Sequence, residues 1–465
     1  MRTEHDLLGE REVPDEAYYG IQTLRAVENF SITGIKLNLY PQLIYALARV
    51  KAAAARANFD LGILDKARCE AIEKACAEVA EGKFNKEFVV DMIQGGAGTS
   101  TNMNANEVIA NRALELLGHK KGEYTYCHPN NHVNLSQSTN DAYPTAVKIA
   151  LYSGNKPLIE ELQRLIASMR KKAAEFSSVL KMGRTQLQDA VPMTLGQTFE
   201  AYAVTLTEEV ERLNENARLF SEINMGATAI GTGINSEPGY VEKVTAHLKN
   251  ITGMPLVSSP NLIEATQDTG SFVMYSASVK RLALKLSKIC NDLRLLSSGP
   301  RCGINEINLP PVQPGSSIMP GKVNPVIPEA VNQTAFKVIG NDLSVTLASE
   351  AGQLELNVFE PIIAFSLFQS QDMLCRAMET LRTRCIDGIT ANTELCRDMV
   401  YKSIGLVTAV NPFIGYEAAT EIAKTALKTG RSVYELILEQ GLLTRTQLDD
   451  ILNPENMTHP RKIQK

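Results

Sequence analysis

Histidine is scarce, six in 465 residues, and the eight cysteines form neither a CxxC pair nor a Cys/His cluster at zinc spacing. Histidine-dependent nucleophilic catalysis and zinc hydrolysis therefore find little support. The cysteines read as reduced thiols, mostly buried. No GxGxxG follows a strand and no GxxxxGK[ST] occurs, so nucleotide cofactors lack their usual phosphate loops. Basic residues are not in excess: the formal net charge of -5 and pI near 5.9 argue against nucleic acid as a partner. No apolar run is long enough for a bilayer, because Leu43 to Leu64 is interrupted by Arg49, Lys51, Arg56 and Asp60. The opening MRTEHDLLGERE is charged and acidic, fits neither a signal nor a transit peptide, and points to a cytoplasmic protein. The partners expected are small molecules and copies of the chain itself, with no membrane.

What is present is a globular composition, 44% hydrophobic and 21% charged, on a chain longer than one core of roughly 250–300 residues supports. Val279, Leu282, Leu286, Ile289, Leu293 and Leu296 alternate steps of three and four, the seam of a packed helix. Thr266 to Ser297 lacks proline and reads as one helix of ~45 Å. Leu195 to Phe220 repeats the pattern, and Pro144 to Leu180 and Asn324 to Leu356 also read as long helices. The expected class is mainly α, with a helical domain over residues 1–138, a helix bundle over 139–395 and a small helical domain over 396–465. Helices this long expose more apolar surface than one chain covers, so a homo-oligomer is predicted.

Four polar, turn-rich segments interrupt this pattern: Gly95 to Asn104, His132 to Asp141, Lys181 to Pro192 and Gln313 to Pro325. In the last, QPGSSIMPGKVNP, glycine and proline forbid a long helix, while Ser316, Ser317, Lys322 and Asn324 offer a base or nucleophile, a cation and amide donors. That set suits a dicarboxylate; a solvent loop is the plainer reading. Ser138, Thr139 and Asn140 either cap a helix or present its first amides to an anion, and Thr99 and Ser100 admit the same two readings. Arg184 reads as an ion-pair partner, and Thr185 and Gln186 as uncharged donors. His132 reads as structural.

The run GSSIMPGKVNP, Gly315 to Pro325, closely resembles the signature loop of the fumarase/aspartase superfamily, and the other segments match that family's remaining site regions in order. The resemblance spans the chain, from LLGEREVPDEAYYGIQTLRAVENF to SIGLVTAVNPFIGY. It implies a mainly helical three-domain lyase whose long helices form a twenty-helix core in a homotetramer, with each pocket drawn from several subunits. Gln186 stands where fumarase-like members carry a histidine after GRT. Together with QSTND, Gln137 to Asp141, and GQLELNVFEP, Gly352 to Pro361, it favours the branch that deaminates L-aspartate to fumarate; fumarate hydratase of the class II type is the alternative.

By the same resemblance, Ser316 is the catalytic base that takes the Cβ proton to give an aci-carboxylate. Thr99, Ser138, Thr139 and Ser317 stabilise that carboxylate, Lys322, Asn324 and Thr185 hold the other one, and Asn140 and Gln186 face the amine. No cofactor and no resident metal are implied, and the sequence is silent on activation by a divalent ion such as magnesium.

Overall fold

The computed structural model describes residues 1–460 and 462. An antiparallel hairpin of β1 (Arg2–Asp6) and β2 (Gly9–Val13) leads into α1 (Ile21–Asn29), α2 (Pro41–Asp60), α3 (Lys66–Ala80) and α4 (Thr99–Leu116). The very long α5 (Thr139–Glu175) follows, then a hairpin of β3 (Leu180–Thr185) and β4 (Gln188–Thr194), and α6 (Leu195–Ala217). Two-residue strands β5 (Glu222–Ile223) and β6 (Val257–Ser258) flank α7 (Tyr240–Thr252). After α8 (Leu262–Gln267) come α9 (Gly270–Leu296), β7 (Ile307–Asn308), α10 (Val326–Glu350) and α11 (Glu360–Arg384). Strand β8 (Thr390–Ala391) and six shorter helices, beginning with α12 (Thr393–Lys402), close the described chain.

The chain divides into two compact units. One comprises Met1–Ile159, Glu211–Arg281 and Phe336–Leu374, and the other Glu160–Val210, Leu282–Ala335 and Cys375–Lys465. In the first, α2 packs against α3 and α7, and α3 against α4. In the second, Leu180 and Met182 of β3 join Val400, Leu406, Val410, Ile422 and Leu436 in one core that seats the hairpin on the C-terminal helices.

The mainly helical class expected from sequence is the one observed, with several local differences. The run from Thr266 is two helices, because Asp268 and Thr269 break it: Asp268 accepts from the Gly270 amide at 2.9 Å and caps α9. The third polar segment is a hairpin rather than an irregular turn, and the first thirteen residues also form one. The helix expected to start near Pro144 begins at Thr139, with Pro144 in its second turn, and α10 stops at Glu350, short of Leu356. A fifth long helix, α11, carries no seam regular enough to be read from sequence. Six of the eight cysteines are buried, Cys375 is half-buried and Cys302 is exposed, and none is in a disulfide among the described residues. No described helix is long and apolar enough to cross a membrane.

Candidate active site

The residues singled out in the sequence fall into three groups. The first is built on the adjacent starts of α4 and α5. Gly98 precedes Thr99 with φ of +94°, and a Cβ there would lie 2.6 Å from the Tyr143 ring, so only glycine brings α4 this close. The Thr99 hydroxyl lies 2.8 Å from the Gly96 carbonyl and 3.3 Å from Thr139 Oγ1. Ser138 caps α5: its Oγ accepts from the Asn140 amide at 3.3 Å, and its own amide donates to Asp141 Oδ1 at 2.9 Å. The second Asp141 oxygen accepts from the Gly226 and Thr228 amides at 3.0 and 3.1 Å. Burial raises Asp141 to about 6 against the pull of these three donors. Asn140 Nδ2 donates to the Ala229 carbonyl at 2.7 Å, which fixes its amide plane.

Behind this surface lies Lys51, which the sequence presents as one of the charges interrupting an apolar run. It is fully buried. Its ammonium donates to the side-chain oxygens of Asn102 at 2.6 Å, Asn134 at 2.9 Å and Gln137 at 2.9 Å. Asn102 in turn donates to Thr139 Oγ1 at 3.2 Å. Three donors on one ammonium thus tie the turn before α5 to α4. Burial pulls Lys51 down to about 7, opposed only by the nearby Asp141 carboxylate and the Cys76 thiol. Partners 51, 83 and 86 residues away leave no local signal, so sequence reasoning missed this group.

The second group is the tip of the β3–β4 hairpin. Thr185 ends β3, pairs with Gln188, and is exposed, as is Gln186. The two-residue loop Gln186–Leu187 has φ of +54° and +63°, a pair of left-handed residues without a glycine. That conformation costs L-residues roughly 1–2 kcal/mol each, so the surroundings must hold it. Arg184, one residue before the tip, pairs with the buried Glu306 at 2.7 Å, as the ion-pair reading of the sequence expects.

The third group is the loop that precedes α10. Ser316 Oγ accepts from the Ile318 amide at 3.2 Å and the Met319 amide at 3.0 Å. Two backbone donors on one hydroxyl oxygen favour its charged form, the requirement for a serine that acts as a base. The loop is tied at its neck: the Gly315 amide donates to the Lys322 carbonyl at 2.7 Å, and Asn324 Nδ2 to the Gly315 carbonyl at 2.8 Å. Ser317 and Lys322 are exposed and Asn324 is half-buried. His132, outside these groups, accepts from the His128 amide at 2.7 Å within a short π-helical turn, a structural role.

The profile described as Lyase matches residues 9–340, and that of the fumarase C C-terminus matches 406–459. The chain belongs to the fumarase/aspartase lyases. Among these lyases, an aspartate ammonia-lyase of Pseudomonas fluorescens is 64% identical over 464 residues, spanning 100% of this chain and 97% of its own. The crystal structure of the fumarate lyase:delta crystallin from Brucella melitensis bound to cobalt is 56% identical, covers 99% of this chain and 100% of its own, and superposes with a TM-score of 0.96. Recombinant class II fumarase from Schistosoma mansoni, also a lyase of this fold, superposes at 0.94 over 99% of this chain and 100% of its own, but is 36% identical. The fold is therefore shared with a fumarase at 36% identity and does not by itself fix the reaction.

Proposed function

We propose that this chain reversibly deaminates L-aspartate to fumarate and ammonia. The observation that carries the reading is whole-length identity of 64% with a protein named aspartate ammonia-lyase, against 36% with a fumarase of the same fold. Gln186 at the hairpin tip supports it: a neutral amide holds an ammonium without repelling it and is too weak a base to activate water.

In the reading offered here, Ser316 takes the proton from Cβ as an alkoxide, and the C–H electron pair moves onto the adjacent carboxylate, forming a dianionic aci-carboxylate. The Ile318 and Met319 amides that already reach Ser316 Oγ support its role as base. Thr99, Ser138, Thr139 and Ser317 hold the extra charge, Lys322, Asn324 and Thr185 fix the second carboxylate, and Asn140 and Gln186 face the amine. When the intermediate collapses, the C–N bond breaks, its electron pair leaves with nitrogen, and the double bond of fumarate forms. Catalysis comes from holding the intermediate more tightly than the substrate, with no cofactor required. We further propose a homotetramer in the cytoplasm, in which each pocket gathers the three groups from more than one copy of the chain; the exposed apolar residues of the long helices support this assembly.

The test offers the purified chain fumarate with ammonium, and fumarate in water alone, following loss of the double bond by absorbance. Aspartate formation with negligible malate is expected. Malate produced as fast as aspartate would overturn the reading in favour of a hydratase.

A further inference from the structure

Glu306 has no part in the reaction as described, yet it is the most enclosed carboxylate near the hairpin, with its side chain 0% exposed. Oε1 accepts from Arg184 Nη1 at 2.7 Å. Oε2 forms an ion pair with Lys181 Nζ at 3.2 Å, and the same ammonium donates to the Met182 carbonyl at 2.9 Å. One buried anion thus faces two cations of the same strand, β3. A charge held this way is costly unless its partners are fixed, and it fixes them in return. Its backbone is equally tied. The Glu306 amide donates to the Leu296 carbonyl at the end of α9, and its carbonyl accepts from the Asn392 amide before α12 and from Cys396 Sγ.

Two of the three groups with proposed roles connect to this residue. Arg184 directly precedes Thr185 and the left-handed Gln186–Leu187 turn. On the other side, Ile307–Asn308 pairs with Thr390–Ala391 and then runs into the loop that carries Ser316. We infer that Glu306 is a positioning residue: through Arg184 it sets where Thr185 and Gln186 stand, and through β7 it anchors the root of the serine loop. The inference rests on the reading of Thr185 and Gln186 as substrate-facing groups.

The test is a split of kinetic parameters in Glu306→Gln, Arg184→Lys and Gln186→Ala, measured on the full chain with L-aspartate and, in reverse, with ammonium. A residue that only supports the fold lowers the amount of active enzyme, which reduces the maximal rate and leaves KM alone. Glu306→Gln is expected to raise KM for aspartate and ammonium about tenfold, and Arg184→Lys, which keeps the charge but loses the fork, about threefold. If Glu306→Gln does not accumulate as folded protein, Arg184→Lys decides. KM within about twofold of the parent in the folded variants overturns the inference. Should Gln186→Ala raise KM while the other two do not, the coupling fails and the site reading stands. Should none of the three move KM, both fail.

Discussion

Ser316 carries two backbone amides on its hydroxyl oxygen, and this is the arrangement that a weakly acidic alcohol needs before it can serve as a base. Ser316→Ala is expected to lower kcat by about a thousandfold or more with KM little changed, because in the proposed mechanism the hydroxyl acts on the proton and not on either carboxylate. Steady-state kinetics on the folded variant checks this. Lys51 makes a different kind of prediction. Its folded-state pKa of about 7 lies below the ordinary lysine range, so between those values the unfolded chain binds more protons. Raising the pH through that window therefore favours folding, by up to about 1.4 kcal/mol per pH unit. Denaturant unfolding across the window should show this slope, and Lys51→Met should flatten it while leaving three amide oxygens without their donor. Of the residue-scale picture, the hydroxyl and amide side chains were legible because their types clash with helix formation where they occur. Lys51 was not, since burial against three distant amides writes nothing into its own neighbourhood.

At the scale of elements, the long helices were readable wherever a seam of steps of three and four ran unbroken, as in α6 and α9. The β3–β4 hairpin was not: its turn is Gln-Leu where a two-residue loop of this geometry favours Asn-Gly, and the strand pairing shifts between Met182 and Arg184. A Cβ on Gly183 would stand 2.8 Å from the Val191 carbonyl, so the irregularity is built around that glycine. The left-handed turn is held against its own preference. Leu187→Gly is therefore expected to stabilise the chain by about 1 kcal/mol, since glycine adopts φ of +63° without steric cost. Chemical denaturation measures it; a loss of stability would show that the leucine side chain, 70% exposed, packs more than its exposure suggests.

At the scale of the whole molecule, α10 turns large apolar side chains outward. Phe336, Leu343 and Leu347 are 63%, 58% and 59% exposed, and their spacing of seven and four places them along one stripe. A stripe of that kind marks an interaction surface, and the assembly proposed above would bury it. Leu343→Lys is expected to dissociate the oligomer and abolish turnover together, read by sedimentation and by assay at the same protein concentration. Dissociation with full activity retained would separate the pocket from the assembly. The sequence made this legible only as helix length, because apolar residues spread around α10 leave no single face to assign.

The neck of the serine loop has one more consequence. With Gly315 bonded to Lys322 and Asn324 bonded back to Gly315, the residues between them form a closed noose. In the proposed role of this loop, much of the disorder that substrate capture would otherwise have to remove is thereby already gone. A Cβ at Gly315 would meet the Lys322 carbonyl at 2.7 Å and force that noose open. Capture would then become entropically dearer, and the affinity for substrate would fall by a factor that warming leaves unchanged, so the van't Hoff slope of the parent chain would be kept while the line is displaced.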